Sequence, residues 1–334
     1  MCKSEVELRM GNVSIRESIK LARNTYAWNL SLYLIFLLAA DLCGQQAPIT
    51  SACFLPSGQL ATGSDEGLHI HDGKSLARTK RIETTIEKIY SIRVAPDGTR
   101  FAIAGGTPAE LGQVEVYSVK NFNRTNRFGL FDDVATDVVW ASNEKLVACS
   151  MTGDCCLMSL DPANKQRHRP FNVHSKGILG IDALKTGELV TGGLDNTIGV
   201  WKLDETQVIR VLNNHVDVVN QLALRPSGDK SGPALIVSVS DDATVRFWQP
   251  AIGRMVRFAR LNSIPTCVVW NQAGTLAIVG TRNGQLNLVD PETAKSSQVE
   301  PAKGWINCLA LSPDETSIIV GGEFGLERIP FASQ

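Results

Sequence analysis

The chain has 334 residues, 43% of them hydrophobic and 20% charged, with 28 Gly and 14 Pro, which describes a globular protein with ample material for a core. The formal net charge of −1 supplies no basic field to hold nucleic acid or an anionic membrane, so nucleic acid is excluded as a first reading of the partner.

Residues 30–40, LSLYLIFLLAA, form the one long apolar run. It is short for a membrane span and right for the hydrophobic region of a signal peptide. Arg16, Lys20 and Arg23 precede it, and Ala39, Ala40, Gly44, Gln45, Gln46 and Ala47 follow. Glu5, Glu7 and Glu17 do not suit a signal's basic leader, so Met10 is a candidate for the true start. The reading is an N-terminal extension over 1–47 carrying a signal peptide or membrane anchor, and an exported chain, periplasmic or secreted. The alternatives are a membrane-anchored protein, touching the bilayer only through this segment, and a cytoplasmic one in which the run is a strand. Leu42-Cys43-Gly44 does not suit lipid attachment, because that processing takes a small residue before the Cys.

From Ile49 onward the chain divides into segments of about forty residues. The openings read ITSACFLPSG, YSIRVAPDG, TDVVWASNE, GILGIDALKTG, VVNQLALRPSG, PTCVVWNQAG and WINCLALSPDE. Each alternates apolar residues and ends in a polar turn rich in Pro, Asp, Ser, Asn and Gly, which is hairpin chemistry. Short apolar second strands follow (QLATGS, FAIAGG, LVACSM, ELVTGG, LIVSVS, LAIVGT, SIIVGG), then third strands such as TIGVWKL and TVRFWQP. No helical period appears beyond residue 48. Such units cannot bury both faces alone, but stacked radially they can. The expected fold is all-β, a seven-bladed β-propeller of four-stranded antiparallel blades over 48–334, with the last blade short by one strand.

These segments resemble WD repeats, the family in which a Gly-His pair opens the unit and Trp-Asp closes its third strand. The likeness is clearest in His174…Thr191…Asp195…Trp201 and His215…Ser238…Asp242…Trp248. It implies that each set forms a hydrogen-bonded chain within its blade. The physics is consistent, since a partly buried Asp needs donors, a His ring offers one, and Ser or Thr relays to an indole N–H. Neither His follows a Gly, and the Trp-Asp position reads Trp201-Lys202, Trp248-Gln249, His71-Asp72, Tyr117-Ser118, Leu160-Asp161 and Val289-Asp290. Propellers of this family usually close with an N-terminal strand, which here would come from residues near 33–42.

The sequence shows no catalytic constellation. His69 and His71 share a strand face but lack a third ligand nearby, so they are read as core or surface residues and not as a metal site. Asp65-Glu66, Asp132-Asp133 and Asp241-Asp242 are turn acids. The cysteines match no zinc spacing, and Cys267 and Cys308 occupy equivalent core positions. Neither catalytic residues, cofactor nor metal are therefore expected. The loops GTPAELG (106–112) and PSGDKSGP (226–233) lengthen the scaffold's edges, and Trp305 either packs between blades or stands as a rim contact. The resulting expectation is a non-catalytic scaffold that binds another protein. The alternative is an enzyme, or a small-ligand or metal binder, using the central channel.

Overall fold

A computed structural model describes residues 47–331, apart from 165–167, 204, 227–232 and 300. Seven antiparallel sheets follow one another, six with four strands and the last with three, each in simple chain order. Blade 1 comprises Ser51–Phe54, Leu60–Ser64, Gly67–His71 and Arg78–Ile82, and blade 7 comprises Ile306–Leu311, Ser317–Gly322 and Gly325–Pro330. The first strand of each blade contacts the first strand of the next, and blade 7 contacts blade 1, so the first strands form a closed ring around the axis. The fold is the expected all-β, seven-bladed propeller, with three strands of the last blade among the described residues. The apolar run at 30–40 and any closing strand before residue 47 lie outside the described residues.

Strand composition explains the layering. Second strands such as Leu60–Ser64 and Ile236–Ser240 are buried throughout, whereas the outer Arg78–Ile82 is exposed at all but its last residue. Arg and Lys on an outer edge also discourage pairing with another chain.

The core is divided into seven aliphatic and aromatic clusters, one at each blade junction. Leu68, Ile70, Ile89 and Phe101 join blades 1 and 2, and Ile178, Ile181, Leu189 and Trp201 sit with Cys149 and Cys155 between blades 3 and 4. Among the described residues the cluster at the junction of blades 7 and 1 is the smallest, with Leu60, Ala310 and Ile319 buried. Polar contacts reinforce that seam. The Ile49 N–H donates to the Gly322 carbonyl at 3.1 Å, and Arg328 donates to the Gly73 carbonyl and the Ser317 hydroxyl.

A second device ties the blades near the axis. The inner strands of blades 2–7 carry a bulge near the start, which re-aims one side chain out of the ladder. Thr136, Asn220, Thr266 and Asn307 occupy four of these bulges, and Thr50 precedes the inner strand of blade 1. Each donates to a main-chain carbonyl of the next blade, respectively Ile178, Pro265, Ile306, Ile49 and, for Thr50, Ile89. Glycines in second strands allow the close approach. A Cβ on Gly280 would lie 2.5 Å from Ile306 Cγ2, and one on Gly321 would lie 2.6 Å from Cys308 Sγ and 2.8 Å from Ile49 Cγ2.

The segment 106–112, expected as a lengthened loop, instead continues the second and third strands of blade 2, with Gly106 opposite Gly112 and Thr107 opposite Leu111. Most of 226–233 lies outside the described residues.

Candidate functional site

The second-to-third strand turns and the links into each following blade gather at one end of the propeller, called here the upper rim. Its geometry is set first by hydrogen-bonded chains in blades 4 and 5. In blade 5, Trp248 Nε1–H donates to Ser238 Oγ at 2.8 Å, Ser238 meets His215 Nε2 at 2.8 Å, and His215 Nδ1 meets Asp242 Oδ2 at 2.8 Å. A neutral imidazole with its proton on Nδ1 satisfies every member, since Nε2 then accepts from Ser238 and Nδ1–H donates to Asp242. Asp242 also accepts from the backbone N–H groups of Val216 and Thr244, at 3.3 and 3.0 Å, and from Arg246 at 3.3 Å. Burial disfavours its charge, but hydrogen bonds from Thr244 and His215 outweigh that and hold the carboxyl at about 2. Burial likewise lowers the His215 pKa, opposed by Asp242, which keeps the ring neutral.

Blade 4 repeats the arrangement. Trp201 Nε1–H donates to Thr191 Oγ1 at 2.9 Å, His174 Nε2 lies 2.7 Å from the same oxygen, and His174 Nδ1 lies 2.9 Å from Asp195. These chains fix the turns Leu194–Thr197 and Asp241–Ala243 on the rim. They are closed on themselves and leave no reactive group for chemistry.

Other blades fill the Trp position differently. In blade 1 it holds His71, whose Nε2 meets Thr62 Oγ1 at 2.9 Å and whose Nδ1 meets the Leu76 carbonyl at 3.0 Å. His69 on the same strand lies 3.4 Å from an Arg78 nitrogen instead, and burial lowers the pKa of both rings. Among the described residues no three His, Cys, Asp or Glu side chains gather as a metal site. In blade 3, strand pairing sets Met158 opposite Leu146 as Trp201 is set opposite Leu189, so Met158-Ser159 holds the position that was assigned to Leu160-Asp161. Both candidates are apolar residues of one parity, and alternation alone cannot choose between them.

Blade 2 contains a residue that sequence reading missed. Glu115 is fully buried, yet it accepts hydrogen bonds from Thr84 at 2.7 Å and Thr85 at 2.8 Å, and from Tyr117 and Arg124. Burial raises its pKa, but the donors, led by Tyr117, lower it further, so the carboxylate stays charged. Thr84 and Thr85 occupy the link that carries His in blades 4 and 5. The available signal was an acid two residues before an aromatic in a strand, and hence on the same face.

Near the axis, Arg93 Nη2 lies 3.2 Å from Asp137 Oδ2, which also accepts the Ile181 N–H at 3.1 Å, and the Leu224 N–H donates to Asp182 at 2.7 Å. Asp137 raises the Arg93 pKa, and burial raises that of Asp182 against the pull of Arg93. These carboxylates bind successive inner strands together.

The group on the rim with surface to offer spans blades 5–7. Arg282 donates to both oxygens of Asp241, at 2.9 and 3.0 Å, and its guanidinium lies 5.0 Å from the centre of the Trp305 ring. Asn220 donates to Asp241 at 2.7 Å, so the acid is anchored from beneath. Trp305 is half-buried, neither sealed between blades nor fully free, and Arg282 is exposed. On the same rim, Val216 is 77% exposed, more than any other large hydrophobic residue described.

A seven-bladed ring whose central blades carry Trp, Ser or Thr, His and Asp in a hydrogen-bonded chain defines the class of this protein. The family model for the WD domain, G-beta repeat, matches residues 165–202 and 206–249, each span running from the outer strand of the preceding blade through the first three strands of blade 4 or blade 5 and including those chains. Two of the seven blades thus match the WD repeat model, and the whole described ring has the seven-bladed form that such repeats build. The chain is 25% identical over 174 residues to methylosome protein WDR77 of Xenopus laevis, covering 49% of this chain and 51% of that one. It is 35% identical over 83 residues to the ribosome biogenesis protein BOP1 homolog of Drosophila grimshawi, covering 25% of this chain and 10% of the relative. Over 198 residues it is 24% identical to telomerase protein component 1 of Mus musculus, covering 58% of this chain and 7% of the relative. The chain thus spans about half the length of the first of these relatives and a tenth or less of the other two.

Proposed function

We propose that this propeller is a non-catalytic scaffold that holds another protein on the upper rim of blades 5–7. The observation that carries the reading is the Asp241–Arg282–Trp305 group. Arg282 is held by Asp241, whose two oxygens both accept from its Nη2, and it lies over the Trp305 ring, beside an exposed aliphatic residue. Aromatic and Arg anchors fixed in advance lose little freedom on binding, and such residues dominate protein interfaces. The names of the relatives point the same way, since two of them are those of a methylosome protein and a telomerase protein component.

The test uses the full chain, its Trp305→Ala and Arg282→Glu variants, and affinity capture from the native source. The expected result is loss of the captured protein by about tenfold or more in both variants, with the thermal midpoint held. Undiminished capture by both variants contradicts the rim assignment. A channel ligand is the second reading, but Arg93, Asp137 and Asp182 are engaged with one another and with the backbone, which favours a structural role.

Export is part of the same proposal and rests on residues 30–40. Sequencing the N-terminus of the protein from its source tests it. A start in the forties is expected, and a retained Met1 or Met10 on soluble protein contradicts it.

A further inference from the structure

Cys149 and Cys155 face each other directly across the second and third strands of blade 3, and their sulfurs lie 2.6 Å apart. Both are fully buried in the cluster between blades 3 and 4, while the adjacent Cys156 points to the opposite face and packs between blades 2 and 3. Opposed residues in an antiparallel pair have Cα separations within the range that a disulfide spans. We propose that Cys149 and Cys155 are a built oxidation site, converted to a cross-strand disulfide when the protein folds in the presence of a small-molecule disulfide.

The chemistry is two thiol–disulfide exchanges. The Cys149 thiolate attacks one sulfur of an RSSR donor and expels RS⁻, forming a mixed disulfide. The Cys155 thiolate then attacks the Cys149 sulfur and expels the second RS⁻. The two thiol protons pass to the released thiolates, so the protein loses two hydrogens and RSSR becomes two RSH.

The position of the pair fixes when this happens. In the finished propeller both sulfurs are sealed, and burial raises the Cys149 pKa well above its usual value, so the closed protein reacts slowly. The two residues belong to one hairpin, Lys145–Ser150 paired with Asp154–Ser159, so that hairpin alone brings them together before blade 4 docks. Once the ring closes, the bond is shielded from reductants.

The test refolds the full chain in a glutathione redox buffer, then denatures it in iodoacetamide and digests it with trypsin. Peptide 146–165 contains Cys149, Cys155 and Cys156. The expected peptide carries one alkyl group, on Cys156, and the mass of two hydrogens less than its reduced form. Cys156→Ser keeps the mass loss and Cys155→Ser abolishes it. Three alkylated cysteines after refolding, or a bond between Cys155 and Cys156, overturns the proposal.

Discussion

The hydrogen-bonded chains place individual residues under energetic constraints that can be measured. Trp248 is fully buried, and Asp242 satisfies the His215 N–H together with two backbone N–H groups. Replacing either by Ala should cost about 1 to 4 kcal/mol, through a cavity in one case and stranded donors in the other. Unchanged thermal midpoints in both variants would show that the chain does not stabilise the blade. The pH dependence follows from the same contacts. Asp242 has a folded pKa of about 2 against the ordinary 3.8, so its stabilisation is complete above about pH 4 and is lost as pH falls toward 2. The magnitude is about 2 kcal/mol. The lowered pKa of His215 acts with the same sign, since stability from its neutral ring is present above its ordinary 6.5 and erodes below it. Unfolding free energies of wild type and Asp242→Ala should therefore converge between about pH 4 and 2. A constant difference over that window contradicts the assignment. Glu115 makes a further case. Glu115→Ala should cost about 2 to 4 kcal/mol by leaving buried hydroxyls without an acceptor, and Glu115→Gln less, because its amide oxygen can still accept. Denaturant unfolding reads both, and equal costs would mean that volume rather than hydrogen bonding decides. The eight residues of the two His chains could be picked out because His and Trp are few, and Thr or Ser, Asp and Trp recur at matching spacings. Glu115 could not, because a strand acid ordinarily reads as solvent-facing and only the tertiary fold supplies its four donors.

At the scale of strands and blades, sequence punctuation carries most of the information. Polar turns and alternating apolar residues mark the first three strands of each segment, whereas an outer strand such as Arg78–Ile82 reads like a loop, because little of it is buried. The Thr and Asn residues that bind neighbouring inner strands were equally hidden. A bulge is set by pairing register, and a Thr in a strand such as Pro265–Trp270 looks like any β-branched residue. The second-strand glycines are legible as a pattern, and the packing gives their reason. Gly321→Ala would drive a Cβ into Ile49 and Cys308 at the least apolar seam, so a loss of about 1 to 3 kcal/mol is expected by thermal unfolding. Hydrogen exchange should rise first at the 7–1 seam in this variant. A rise at the junction of blades 3 and 4 instead would show that the small cluster is not the weak point.

For the whole molecule, the ring is closed by the inner strands and by the Ile49–Gly322, Asn307–Ile49 and Arg328–Gly73 contacts. That closure joins the seven blades in one ring and sets the turns of blades 5–7 side by side, as the proposed platform for another protein requires. The number of blades was legible because the repeat recurs seven times. Trp305 was legible as a rim candidate, but its grouping with Asp241 and Arg282 was not, because the three come from different segments and are brought together only by the curvature of the ring.

Crosslinking mass spectrometry on the chain in its native source tests the scaffold reading most directly. The account predicts that crosslinks to one partner protein concentrate on residues beside the turns Asp241–Ala243 and Arg282–Gly284 and the link at 301–305. Crosslinks confined to the outer strands or to the opposite end of the propeller would contradict it.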